Sequence, residues 1–375
     1  MRQVTGAAMR VTKVLDPASD AVSFTLIGVT GVVEPAERYL RYLADTERSP
    51  NTIKAHAHDL KDWFVFLDEH GHNWQSVKLE DFGAFIRWLR RPPDMRGQVF
   101  SVLPAIGHHC GEATVNRKLS TVSIFYQHAA RHGLDLGELI TCWDPSARQG
   151  GWKPFLHHIS KGPAKQRRAV KLPTTARIPR LLAPNEVQSI LDSCGHLRDR
   201  LLFALLHDAG IRIGEALGLR HEDIAVAERE ITICRRDNIN GARAKSPHSR
   251  TVPVTAELIR LYADYLDAEY GDLDCDYVFV NLWGRPYGRP MTYAAVHDLV
   301  RRLRHQTGIG FEPHWFRHTY ATRMLREKVP IEIVSKLLGH ASLTTTVKTY
   351  AHISSDDARR ALADAGWFAS KTVTI

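Results

Sequence analysis

Cationic, imidazole and phenolic side chains gathered in the C-terminal half of this chain suit the cutting of a phosphodiester. Without a metal, such a cut needs donors for the two non-bridging oxygens, a nucleophile in line with the leaving oxygen, and an acid for that oxygen. Arg212 follows Ala209-Gly210-Ile211 at a turn into a short helix, where a guanidinium can face an anion, and Glu215 lies one turn later. His314 and Arg317 stand three apart after Pro313, hence on one face of a helix that starts there. Leu337-Leu338-Gly339-His340 closes another helix, and a last one carries Thr344-Thr345-Thr346 and ends on Tyr350. Taken singly, each has a plainer reading: a surface arginine, a helix-start acid, a capping histidine, a half-buried packing tyrosine. His314 and His318 have the i, i+4 spacing of a zinc pair, but the glutamate of H-E-x-x-H is missing, and no metal is expected.

The elements that must position these groups divide by pattern. A length of 375 residues predicts two domains with an extra arm. Residues 1–33 form the arm, with a strand-like stretch at Val22–Ile27. Residues 34–147 read as a helical domain: Tyr39, Leu40 and Leu43 share a face, and Ser49-Pro50 caps and opens a second helix. That helix carries Leu60, Trp63, Phe64 and Leu67 and stops near Gly71; further stripes run over Phe82–Leu89 and Val115–Tyr126. Residues 148–180 contain Lys153, Lys161, Lys165, Arg167, Arg168, Lys171 and Arg177 and no acid, the composition of a linker that either is simply solvated or contacts phosphates. Residues 181–355 then hold a helix opened by Pro184, an apolar helix that stops at Gly210, and two β-rich segments, Glu230–Cys234 and Arg250–Val254, with a turn at Asn240-Gly241. Helices over Thr292–His305, Trp315–Arg326, Ile331–Leu338 and Ser342–Tyr350 complete the domain, and 356–375 is a tail.

Composition narrows the partner. The formal charge is +9, from 50 Lys and Arg against 41 Asp and Glu, which favours an anionic polymer or surface, and charge alone does not choose between them. Cys110, Cys142, Cys194, Cys234 and Cys275 are scattered with no C-x-x-C pair, so neither a disulfide framework nor a metal cluster is indicated. With no apolar run of about 20 residues and no signal-like start, a cytoplasmic, nucleoid-associated protein without membrane contact is expected.

Gly210-Ile-Arg212-Ile-Gly-Glu215, His314-x-x-Arg317-His318, Leu-Gly-His340 and Thr-Tyr350-Ala-His352 resemble the ordered boxes of the tyrosine recombinases, or phage-type integrases. The resemblance covers about 181–355, and the helical 34–132 region is similar to that family's core-binding domain. It implies a mainly α fold with a small β-hairpin or sheet, in which a SAM-like core-binding domain and a catalytic domain form a two-domain, C-shaped DNA clamp. It makes Tyr350 the nucleophile, Arg212 and Arg317 the clamps on the scissile phosphate, His314 and His340 the remaining pocket donors, and Glu215 their support. The family's lysine is found by counting back from Arg250-Thr-Val-Pro-Val254, which lands on Lys245, the one lysine between Lys171 and Lys328. An ammonium can surrender a proton to a leaving oxygen, whereas a guanidinium with a pKa above ~12 is a poor acid. Ser246-Pro247-His248 follows where the family often has a glycine-rich turn, so Arg243 and Arg236 stand as fallbacks.

Site-specific recombination of a mobile element through a 3′-phosphotyrosine is therefore expected. No nucleotide or other cofactor is required, because bond energy is kept in the covalent link. The resemblance further implies double-stranded DNA sites as partners and a homotetramer on DNA, with the tail docking on a neighbouring protomer. Some transposon-borne members have a loosely similar N-terminal arm. The competing functions are a catalytically silent DNA-binding accessory protein and a type IB topoisomerase-like relaxing enzyme.

Overall fold

The computed structural model describes residues 9–15, 22–93, 96, 108–134, 141–143, 166–168, 170–174, 179–246, 248–340 and 342–350. Lys153, Lys161, Lys165, Arg177, His352 and the tail 356–375 lie outside the described residues. The chain divides into two compact units, Met1–Ala176 and Arg177–Ile375.

In the first unit, strands β1 (Arg10–Leu15), β2 (Val22–Gly28) and β3 (Gly31–Val32) form an antiparallel sheet in chain order. The strand expected over Val22–Ile27 has a partner that the sequence did not announce. Four of the six β1 residues are exposed, so this edge strand carries no clean apolar alternation to read. Strand β2 buries Leu26 completely in the core of the helices that follow. These are α1 (Glu34–Asp45), α2 (Pro50–His70), α3 (Leu79–Arg90) and α4 (Glu112–Arg131). The Ser49 hydroxyl accepts the Thr52 amide at 3.2 Å, Pro50 fills the first turn, and Gly71 ends the helix in the left-handed conformation, as the sequence leads one to expect. Trp63 sits fully buried at the centre, stacked on Phe66 and Phe82 and edge-on to Phe85, and its indole donates to Tyr126 Oη at 3.1 Å. That bond joins α2 to α4 and satisfies a polar atom that burial would otherwise strand. Strands β4 (Thr141–Trp143) and β5 (Gln166–Arg168) pair antiparallel. Arg167 and Arg168 thus lie in a strand, and Lys171 is exposed beyond it.

The second unit begins with α5 (Pro184–Asp192), α6 (Leu197–Ala209) and the short α7 (Ile213–Leu217). A three-stranded antiparallel sheet follows, with β6 (Ile224–Ala225), β7 (Glu230–Ile233) and β8 (Arg250–Pro253) in register Ile231↔Val252. Helix α8 (Ala256–Tyr265) is one the sequence reading did not delimit, although Thr255 caps it and Leu258, Leu261, Tyr262 and Tyr265 carry its stripe. Helices α9 (Tyr293–Thr307), α10 (Pro313–Arg326), α11 (Ile331–Leu338) and α12 (Leu343–Tyr350) close the unit. Phe203 on α6 and Phe316 on α10 are fully buried with ring centres 5.5 Å apart, which locks α10 along α6. The end of α6 and the start of α10 are thereby held together, and both carry candidate site residues. Among the described residues no helix is long and apolar enough to cross a membrane.

Candidate active site

Carbonyl oxygens at the end of α11 organise the cations. Arg317, 1 % exposed, donates from Nη2 to the Leu338 carbonyl at 2.5 Å and from Nη1 to the Gly210 carbonyl at 2.8 Å. Arg212 reaches the same Leu338 carbonyl from Nη1 at 3.4 Å. Two guanidiniums therefore meet at one helix C-terminus, whose dipole offsets part of their mutual repulsion. Each has five N–H donors and spends two in these contacts and the Arg212–Glu215 pair, so donors remain for an anion. Burial, then the Arg212 charge, pulls the Arg317 pKa down to about 9, which still leaves it charged at neutral pH.

Glu215 is the counter-charge. Its carboxylate accepts the Arg212 amide at 2.9 Å and Arg212 Nη1 at 2.9 Å, so one residue caps the helix and orients the guanidinium that precedes it. A residue that sequence reasoning used only as a counting mark completes the arrangement. Arg250, on β8, donates from Nη2 to Glu215 Oε2 at 2.6 Å, from Nη1 to Oε1 at 3.2 Å, and from Nε to the Leu337 carbonyl at 2.7 Å. Burial alone would raise the Glu215 pKa, but the Arg250 hydrogen bonds and charge and those of Arg212 outweigh it and hold the carboxyl below its usual value. Arg250 was visible in the sequence only as the head of the R-x-V-P strand; nothing there points to Glu215, 35 positions earlier.

Gly210 makes the approach of α10 possible. Its φ of +60° is one that L side chains rarely adopt, and an added Cβ would lie 2.2 Å from the Tyr320 ring. Gly210→Ala is expected to lower unfolding free energy by about 2–5 kcal/mol through strain and overpacking; urea denaturation measures it, and a loss under about 0.5 kcal/mol, the range of an ordinary surface change, would contradict the packing.

The imidazoles and the phenol gather on the same side. The pKa of His314 is lowered by burial and then by Arg317, Arg212, Lys245 and His340, which places the candidate cations around one ring. His318, one turn on, has its ring centre 4.4 Å from that of His314, and its Nδ1 lies 3.0 Å from the Tyr350 hydroxyl. His340 Nδ1 lies 2.7 Å from Thr346 Oγ1. Burial and neighbouring cations bring both His318 and His340 down to about 4, so both are neutral at physiological pH. Tyr350 packs with Tyr320, Ala321, Val334 and Leu338; burial raises its pKa despite the opposing Arg317 and Arg212 charges. The structure thus brings Arg212, Glu215, His314, Arg317, His340 and Tyr350 together within one subunit. Sequence reasoning noted His318 as part of a box and as a zinc-spaced neighbour of His314, and Thr346 only as part of a threonine run; the chain order gave no reason to pair either with its partner.

The histidine shifts have a consequence for stability. A folded-state pKa near 4 below an ordinary value of 6.5 means the unfolded chain takes up protons first, so stability rises with pH between those values. Carboxylates contribute little above about pH 5.5. His318→Gln is expected to make the slope of unfolding free energy between pH 5.5 and 6.5 shallower by up to one proton, read from urea midpoints; an unchanged slope would refute the neutral, half-buried imidazole.

Lys245 is exposed and has no carboxylate within ion-pair distance among the described residues. The segment before it is firmly held: Ala242 and Ala244 are buried, and the Asn240 side-chain amide donates to the Leu217 and Met291 carbonyls at 2.9 and 2.8 Å. Tyr293, the first residue of α9, hydrogen-bonds the Arg243 backbone and fits over Gly214, where an added Cβ would lie 2.1 Å from its hydroxyl. The fallbacks are engaged elsewhere. Arg236 is bound to both oxygens of Asp223 at 2.7 and 2.8 Å and to Glu222, and Arg243 pairs with Asp237 at 3.1 Å.

Comparison with known proteins places the chain in a family. The phage integrase family matches residues 180–356, and the SAM-like N-terminal domain of phage integrases matches 36–133. Transposase A from transposon Tn554 of Staphylococcus aureus is 39 % identical over 329 residues, 87 % of this chain and 89 % of that protein. The chain belongs to the phage integrase family. It is a tyrosine recombinase, one of the enzymes that cleave and rejoin DNA. Tyrosine recombinase XerC of Pelobacter propionicus is a more distant relative of this recombinase, 28 % identical over 85 % of this chain and 91 % of that one. The integrase of transposon Tn1549, solved with a circular intermediate DNA, shares the fold at 16 % identity, with a TM-score of 0.59 over 88 % of this recombinase and 99 % of that chain. The expected mainly helical, two-domain class is thereby the observed one.

Proposed function

We propose that this recombinase cuts and rejoins specific double-stranded DNA sites of a mobile element through a 3′-phosphate bond to Tyr350. The observation that carries the reading is the shared Leu338 carbonyl: it holds Arg212 and Arg317 side by side, in a pocket where both charges act on the Tyr350 hydroxyl. A phosphate seated on the two guanidiniums is made electron-poor and fixed in orientation. The phenol, oriented by His318, attacks phosphorus; the P–O5′ bond breaks and the 5′-oxygen leaves with a proton from Lys245. The phenol proton passes to a pocket base or to water. A 5′-hydroxyl from the partner strand then attacks the phosphotyrosine and reverses the bookkeeping, releasing Tyr350. His314 and His340 donate to phosphate oxygens, and Glu215 with Arg250 keeps Arg212 in place.

The names of the Tn554 and Tn1549 relatives favour a transposon over chromosome maintenance as the setting. Strand exchange between two duplexes needs four active subunits, so a homotetramer on paired sites is proposed, in the cytoplasm where the DNA lies. Lys153, Lys161, Lys165, Arg167, Arg168 and Lys171 are proposed to contact DNA phosphates.

The role of Lys245 has its own test. Lys245→Ala is expected to lose ~10²–10³ in cleavage rate on ordinary DNA, within the span typical of a general acid. On a substrate whose bridging 5′-oxygen is replaced by sulfur, a leaving group that needs no proton, the variant should cleave within a few-fold of the parent. An equal loss on both substrates would assign Lys245 to binding. The function as a whole is tested by a plasmid bearing two copies of the element's joined ends: recombined circles are expected. Relaxation of any supercoiled plasmid by monomer, without recombined product, would oppose it.

A further inference from the structure

Thr346 is fully buried, while Thr344 and Thr345 beside it on α12 are exposed. It stands four residues before Tyr350, so the two side chains leave one face of the helix a turn apart. Tyr350 contacts His318 on α10, and Thr346 contacts His340 just past α11. The nucleophile's helix is therefore seated on the pocket through two histidines. Only the Tyr350 contact has a use in the mechanism above.

The second contact constrains chemistry. A hydroxyl sealed from water must donate to an acceptor, and His340 Nδ1 at 2.7 Å is the partner Thr346 has among the described residues. An imidazole that accepts at Nδ1 carries its single proton on Nε2. His340 is neutral, with its pKa brought down to about 4 by burial and by Arg317, Arg212 and Arg250, so there is one proton to place. A phosphate oxygen only accepts hydrogen bonds. One tautomer of His340 can serve it and the other presents a lone pair to an anion.

We propose that Thr346 is a positioning residue that holds His340 as the Nε2–H tautomer, so that this donor to the scissile phosphate is set only while the helix bearing Tyr350 is docked. The inference rests on the reading of His340 as a phosphate donor and Tyr350 as nucleophile. Nucleophile delivery and donor selection are then one event. A subunit whose α12 has swung away loses both together and bears a pocket that binds DNA without cutting it.

Thr346→Val removes the hydroxyl at constant shape, and Thr346→Ser restores it. The full-length Val variant is expected to bind a nicked suicide duplex of the element's end with unchanged affinity and to form covalent adduct ~10- to 100-fold more slowly, the usual cost of removing the group that orients a ligand histidine. The Ser variant should stay within about threefold of the parent, since the donor is kept. Selective ¹⁵N-histidine labelling gives the signature that a packing role would not move: His340 protonated on Nε2 in the parent and in Thr346→Ser, and a tautomer mixture in Thr346→Val. A parent His340 protonated on Nδ1, or a Val variant as fast as the parent, overturns the proposal. Persistence of adduct in Tyr350→Phe would instead remove the nucleophile beneath it, and the tautomer spectrum separates the two failures.

Discussion

Tyr350→Phe is expected to bind its DNA site within about tenfold of the parent, since one hydroxyl among many phosphate contacts carries little of the affinity, while covalent adduct on a nicked suicide substrate falls below detection. The Tyr350 ring packs with Tyr320, Ala321, Val334 and Leu338, and phenylalanine keeps every one of those contacts. The hydroxyl is lost together with its bond to His318. Tyr320 and Tyr293, the tyrosines that precede it in the chain, are committed to packing: Tyr320 is buried against Gly210, and the Tyr293 hydroxyl sits over Gly214. Gel-shift titration and denaturing electrophoresis of the trapped complex measure the two halves of the prediction. Adduct at the parental level would exclude Tyr350 as the nucleophile.

Arg212→Ala is expected to lower single-turnover cleavage by ~10²–10³ or more, by the precedent of deleting one preorganised oxyanion donor. The loss has three physical parts. A charge is removed from beside the phosphate. The Leu338 carbonyl keeps Arg317 but loses its second guanidinium. Glu215 remains buried, paired with Arg250 alone, and its negative charge is then less compensated beside an anionic substrate. Arg212→Lys should recover little of the rate, because an ammonium cannot span Glu215, Leu338 and a phosphate oxygen at once. Cleavage by Arg212→Ala within fivefold of the parent would contradict the clamp.

Much of this architecture was legible because local chemistry and tertiary need coincide. Ser49-Pro50 and Gly71 bound α2 by capping rules that act within a few residues, and Gly210 and Gly339 end α6 and α11 in the left-handed conformation. The hairpin of β7 and β8 followed from alternating β-branched residues around a turn. Strand β1 was not legible: its residues are mostly exposed, and its pairing with β2 is fixed by backbone bonds that leave little trace in side-chain pattern. Helix α8 had its cap and stripe in plain sight, and the β-rich segment before it drew the reading away. In the site, Arg212, His314, Arg317, His340 and Tyr350, which are proposed to meet the phosphate, took their roles from the match to the family's ordered boxes. Arg250, His318 and Thr346 were given none, because the side chains they contact lie 35, 32 and 6 positions away. Such pairings are set by folding, and a linear pattern carries no record of them.

Where the DNA becomes attached decides the mechanism. The parent recombinase, trapped on a suicide duplex drawn from the element's end, digested with protease and nuclease and sequenced by tandem mass spectrometry, should yield one peptide bearing a nucleotide 3′-phosphate on Tyr350. A nucleotide on any other residue, or a link to a 5′-phosphate at Tyr350, would contradict it.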